Sequence, residues 1–226
     1  MNAMLRRRFL TGLLAATGFS AGCGDLGSLV YFLMPEQKIP AEIKSLATSD
    51  KKKEVKALIL VRNPPQLSYQ FINADRELAA ALYKQLKELC EYNDEHLTLV
   101  DPRKVDAFKD SNPYWYQLPP GEVGNHFKVD YVIYLEVNQL SMSSAEIEMV
   151  CRGRADLSVR LIDVKNPEES TTPKHFSCTY PSEANFILAD ENTPPQVFRE
   201  KFLAYAAKRL AWYFAPHPAR DSHMVE

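Results

Sequence analysis

The sequence predicts an α/β fold of the α+β kind, a single mixed β-sheet in the order β-α-β-α-β-β-β-α with helices packed on it. Three observations predict it. Short apolar runs alternate with helical stripes from Val55 to Phe108, the segments between Val129 and Tyr180 read as strands joined by turns, and apolar residues at helical spacing close the chain from Pro194. Strands separated by helices favour parallel neighbours, and strands separated by turns favour antiparallel ones.

Each element has a local reason. Val55 to Val61 is an apolar run bounded by Lys-Lys-Lys-Glu and Asn63-Pro64-Pro65, as a buried strand requires. Asn73 is placed to cap a helix whose first turn carries Asp75 and Glu77 at the positive end of its dipole, and Leu78, Leu82, Leu86 and Leu89 form its apolar stripe. Leu97 to Val100 gives a second strand. Asp101-Pro102 then opens a helix through Phe108, with proline where its missing N–H does no harm. Val129 to Leu140, Ala145 to Val164 and Lys174 to Tyr180 follow as strands. In the middle one Ala155, Leu157, Val159 and Leu161 alternate with Arg154, Asp156, Ser158 and Arg160, so one face is polar. Gly153 is expected to mark a bulge or bend there. The last helix is expected to start in a capping box of Thr193 and Gln196, to bury Phe198, Phe202, Leu210 and Phe214 on the sheet, and to stop before Pro216 and Pro218.

The totals fit one folded domain: 226 residues, 46% hydrophobic and 25% charged. A formal net charge of -2 offers no electrostatic basis for a nucleic-acid partner. Cys23, Cys90, Cys151 and Cys178 include no CxxC pair and no Cys-His spacing suited to zinc, so no metal or cofactor is expected. A hairpin turning near residues 166 to 172 would place Cys178 opposite about Arg160, some ~30 Å along the strand from Cys151 at roughly 3.3 Å per residue. Disulfide bonding tolerates about 7 Å between Cα atoms, so Cys90, Cys151 and Cys178 are expected to be free thiols, mostly buried.

The chain opens as an address label. Arg6, Arg7 and Arg8 precede a short apolar run from Phe9 to Phe19 and the small residues Ser20, Ala21 and Gly22. That is the anatomy of a bacterial export signal, and the run is far short of the roughly 20 residues that cross a bilayer. Arg6-Arg7-Arg8-Phe9-Leu10 resembles the twin-arginine pattern, and Ser20-Ala21-Gly22-Cys23 resembles a lipobox, in which Cys23 takes a diacylglycerol and becomes the mature N-terminus. Ser20 stands where a lipobox usually carries leucine, so cleavage by an ordinary signal peptidase at the same bond, or an uncleaved signal anchor, stays open. The organisation follows: an export signal over 1–22, a membrane-proximal lead and linker over 23–54, a single α/β domain over 55–215, and a flexible tail over 216–226.

KALILV at the first strand, LTLVDPRKVDAF at the second strand and helix, VDYVIYLEV at the third strand and ADLSVRLIDV in the hairpin carry a family resemblance. Behind an export signal, this order resembles the small periplasmic modules of the TolB N-terminal-like type, also seen in LpoB-like penicillin-binding-protein activators and CsgG-like lipoproteins. The resemblance implies a non-catalytic protein that binds or regulates another envelope protein from the periplasmic side of a membrane. A secreted hydrolase and a structural envelope component are the alternatives. No G-x-S-x-G, H-E-x-x-H or phosphate-cradling glycine loop is present, and the five histidines are scattered. Asp101 and Asp163 at strand ends are explained as a helix cap and a turn residue. The candidate contact is Tyr114-Trp115-Tyr116, between Pro113 and Pro119-Pro120. In one reading Trp115 plugs the core edge and Tyr114 and Tyr116 lie over it with wet hydroxyls; in the other Tyr114, Trp115 and Tyr116 form a partner-binding patch, and the two stay open here.

Overall fold

Strand β1 is Lys38–Ile39 and β2 is Lys56–Arg62; helix α1 is Ala74–Asn93, β3 Thr98–Leu99, α2 Pro102–Ser111 and α3 Pro120–Phe127. After them come β4 Tyr131–Ala145, β5 Val150–Asp163, β6 Lys174–Tyr180, β7 Ile187–Leu188, α4 Pro195–Ala211, β8 His217–Pro218 and α5 Ala219–His223. The computed structural model describes residues 37–50, 54–64, 71–145, 150–181, 187–188 and 194–223.

The sheet runs β3-β2-β4-β5-β6, with β7 pairing β5 beyond the end of β6. β2 is parallel to β3 and β4, and β4, β5 and β6 are antiparallel neighbours. The mixed sheet and its α+β class are therefore as the sequence implies. β2 is covered on both faces, which is why it reads as an unbroken apolar run. Ala57, Ile59 and Val61 enter the larger core with Leu78, Leu82 and Leu86 of α1 and Phe198, Phe202 and Leu210 of α4. Leu58 and Leu60 face the smaller core with Val105 of α2 and Val123 of α3.

Several expectations are corrected. The bulge lies in β4, between Val137 and Gln139, and re-phases that strand so that Val137 and Leu140 both face the larger core. Gly153 is there for close approach instead: a Cβ would lie 2.6 Å from Cγ of Phe202. The hairpin also turns earlier than expected. The Asp163 carboxylate accepts from the main-chain N of Lys165 (3.0 Å) and Asn166 (2.8 Å), closing the turn at once. Cys178 consequently faces Ala155, not Arg160. Its separation from Cys151 along β5 is still about 13 Å at ~3.3 Å per residue. Cys90 and Cys178 are buried free thiols and Cys151 is a half-buried one.

Helix α3 goes unread in the sequence because Gly121 and Gly124 disguise it. It opens with Pro120 at its first position, and Gly124 lets it settle on the sheet, where a Cβ would meet Val164 and Val132 at 2.6 and 2.7 Å. Asn73 sits at the N-cap of α1 without a side-chain bond, whereas Asp101 caps α2 by accepting from the N of Arg103 at 2.9 Å. Within the expected flexible tail, His217 and Pro218 are buried and pair with Ile39 and Lys38, and α5 follows; residues 224–226 lie outside the described residues. The described part of the lead is likewise held, Leu46 lying in the core and the N–H groups of Glu42, Ile43 and Leu46 donating to carbonyls of Trp212, Tyr213 and Phe214. Thr193 of the expected capping box lies outside the described residues.

Candidate functional site

The carboxyl end of β2 is where the chain reverses direction across the sheet. β2 connects to β3 on one side through α1, and β3 connects through α2 and α3 to β4 on the other. Such a switch point is the usual place for function in open sheets with parallel strands. Here it gathers Arg62 at the end of β2 and Asn63 just beyond it, Ile72 and Asp75 around the start of α1, Lys109 from the end of α2, and the aromatic loop.

The loop is shaped by its own chain. Trp115–Gln117 forms a 3-10 turn, with the N–H of Trp115 donating to Asn112 O, that of Gln117 to Tyr114 O (each 2.9 Å) and that of Leu118 to Trp115 O at 3.1 Å. Trp115 is half-buried against the core formed with α2 and α3. Tyr114 and Tyr116 point outward, 70% and 45% exposed, their ring centroids 6.5 Å apart. Among the described residues, Leu118 and Ile72 are further large apolar side chains exposed near the loop and the start of α1.

Beneath the loop lies a residue that sequence reasoning missed. Lys109 is buried, and its ammonium donates to Asp75 Oδ2 at 2.7 Å and to Val61 O at 2.9 Å while standing 4.6 Å from the centroid of the Trp115 ring. Asn63 Nδ2 donates to the other Asp75 oxygen at 3.2 Å and to Ile72 O at 3.4 Å. One cation therefore joins β2, α1, α2 and the aromatic turn. The available signal was spacing: Lys109 follows the buried Val105 by one helical turn, on the stripe that faces the sheet.

Charges frame the apolar surface. The neighbouring Tyr134 hydroxyl and then Glu136, 3.8 Å away, hold the Arg62 guanidinium pKa above the usual value. Arg76 pairs with Asp110 and approaches Asp106 at 4.0 Å. Burial pushes the Asp106 carboxyl above its ordinary value, with Arg76 and then Lys109 opposing. An aromatic surface of this kind suits contact with another macromolecule.

At the opposite end of the parallel strands, an open polar cleft of about 460 Å³ is lined by Lys56, Asn125, Lys128, Asp130 and Lys165. Asp130 ties that edge together, accepting from the N of Lys56 at 3.0 Å and from Lys165 Nζ at 2.6 Å. The Lys165 bond holds its carboxyl below the usual range. Among the described residues no group of His, Cys, Asp and Glu side chains is arranged to hold a metal ion, and no helix is long and apolar enough to cross a membrane. Cys23 and the export residues Arg6, Arg7, Phe9 and Leu10 lie outside the described residues.

No family model matches the chain, and no curated protein matches it. Solved structures similar to it include lipoprotein GNA1162 from Neisseria meningitidis, 14% identical with a TM-score of 0.42, the match covering 70% of this chain and 98% of that one. A PelC dodecamer from Paraburkholderia phytofirmans is 10% identical with a TM-score of 0.42, over 80% and 97% of the two chains. The hypothetical protein CT253 from Chlamydia trachomatis is 13% identical with a TM-score of 0.40, over 71% and 98%.

Proposed function

We propose that this chain is a bacterial envelope lipoprotein, exported through its arginine-led signal and anchored by lipid on Cys23, whose single α+β domain binds or regulates another envelope protein without catalysis of its own. The carrying observation is the pair of outward tyrosines on a turn pinned by the half-buried Trp115 and the buried Lys109. Binding costs conformational entropy for every side chain it immobilises, and a preorganised aromatic pair costs little of it. Tyr114, Tyr116, Leu118 and Ile72 supply the apolar area, and Arg62, Arg76, Glu136 and Asp110 supply a charged rim suited to setting orientation.

A lipid anchor on Cys23 would serve the same function. Two acyl chains, each buried methylene contributing about 0.8 kcal/mol, would confine the domain to a membrane surface and raise its encounter rate with partners there. The test is capture from detergent-solubilised envelopes with the full chain as bait, read together with the intact mass of the mature protein. A stoichiometric envelope partner and a diacylated N-terminal Cys23 are expected. Absence of any partner, together with turnover of a substrate by the purified protein, would return the function to a secreted hydrolase. An unmodified Cys23 on protein from the soluble fraction would remove the anchor.

A further inference from the structure

The sheet has two edges of very different kind. β3 is two residues long, and the Thr48–His96 bridge follows directly beside it. β6 is seven residues long, and neither a proline nor a bulge interrupts it. Natural edges are normally blunted by such devices, because a row of open main-chain groups is a template for another strand.

The register shows which groups are open. Leu161 turns both main-chain groups toward the β6 side: its carbonyl accepts from the N of Thr171 and its N–H donates to Thr171 Oγ1, both at 2.9 Å. Main-chain groups alternate sides along a strand, so those of Val159, Leu157, Ala155 and Gly153 face β6 and bond Lys174, Phe176, Cys178 and Tyr180. His175, Ser177 and Thr179 therefore aim their N–H and C=O groups away from β5. These groups meet no main-chain partner outside the sheet among the described residues.

We propose that β6 binds the β6 of a second copy of this chain, antiparallel across a two-fold axis at Ser177, so that two sheets become one. Self-complementarity selects this occupant. With the axis at Ser177, His175 faces Thr179 and Ser177 faces itself, and every outward residue enters a pair that exchanges two main-chain hydrogen bonds. Moving the axis by one residue leaves one of them unpaired. The solvent-facing side chains agree: His175 falls opposite Thr179, Ser177 falls opposite itself, and no like charges are opposed. This edge is separate from the aromatic turn, so the proposal stands or falls independently of partner binding there.

The register gives a crosslinking test on the full chain in detergent. Directly opposed Ser177 positions have Cα atoms about 5.5 Å apart, within disulfide reach, whereas two copies of position 175 lie about 13 Å apart. Under a mild oxidant Ser177→Cys is expected to give a disulfide-linked dimer, while His175→Cys and the unaltered chain stay unlinked. Ser177→Pro removes an outward N–H and no β5 bond, so the dimer should vanish in sedimentation while the melting temperature holds within a few degrees. A monomeric unaltered chain at sub-millimolar concentration, equal crosslinking of the Ser177 and His175 variants, or a dimer that survives Ser177→Pro would overturn the proposal.

Discussion

At the scale of the residue, Lys109 decides whether the aromatic turn holds its place. It is buried, and Asp75, Val61 O and the Trp115 ring satisfy its charge. Lys109→Met keeps the volume but leaves the Asp75 carboxylate without its cation, with the Asn63 amide still donating to it, and breaking a buried pair in this way costs about 3–5 kcal/mol. Denaturant unfolding should show that loss, and Asp75→Asn in the same background should recover part of it. His217 makes a second residue-level prediction. It stacks on Trp212 at 4.4 Å between ring centroids, and burial holds its pKa below the ordinary imidazole value, with Lys208 adding to the effect and Asp221 opposing it. The unfolded chain binds that proton more readily, so stability is complete above about pH 6.5 and declines as the pH falls below it. Melting temperatures at pH 7.5 and 5 should separate more for the native chain than for His217→Phe, and equal separations would contradict this assignment. The aromatic turn was legible because prolines bracket it. Lys109 was not, because its partner Asp75 lies 34 residues away on another helix.

At the scale of the element, alternation is readable and register is not. The polar and apolar positions of β5 fall as its sequence implies, because burial of one face imposes a period of two. Where β6 sits along β5 depends on the turn, and the Asp163 side chain closes it earlier than the composition of 166–172 suggests. Glycine misled twice for one reason. Gly153 and Gly124 serve close packing between layers, a property of the partner surface that no local pattern records. Gly153→Ala should therefore cost about 1–3 kcal/mol through overpacking against Phe202. Pairing it with Phe202→Leu should cost less than the sum of the two single changes, and strict additivity would refute the contact. The β1–β8 pair was invisible because a two-residue strand has no period to read; it exists through the antiparallel bridge of Lys38 with Pro218 and Ile39 with His217.

At the scale of the whole molecule, the chain divides its labour between the two ends of one sheet. At the amino end of the parallel strands, Asp130 ties β2 to β4 and to the loop after β5. At the carboxyl end, a pinned turn presents tyrosines to solvent. The net charge of -2 leaves orientation to local charges such as Arg62 and Arg76. The proposed partner binding rests on that presented surface, so the most direct measurement is the amount of envelope partner retained by the chain carrying Tyr114→Ala and Tyr116→Ala, with melting temperature recorded on the same preparation. Truncating exposed aromatics at a binding centre costs about 2 kcal/mol or more per hot-spot residue and leaves the fold alone. The expected result is a loss of partner of at least tenfold with a melting temperature within a degree or two of the native chain. Undiminished partner capture, or a large fall in melting temperature, would show that these tyrosines serve the core and that the protein's contact lies elsewhere.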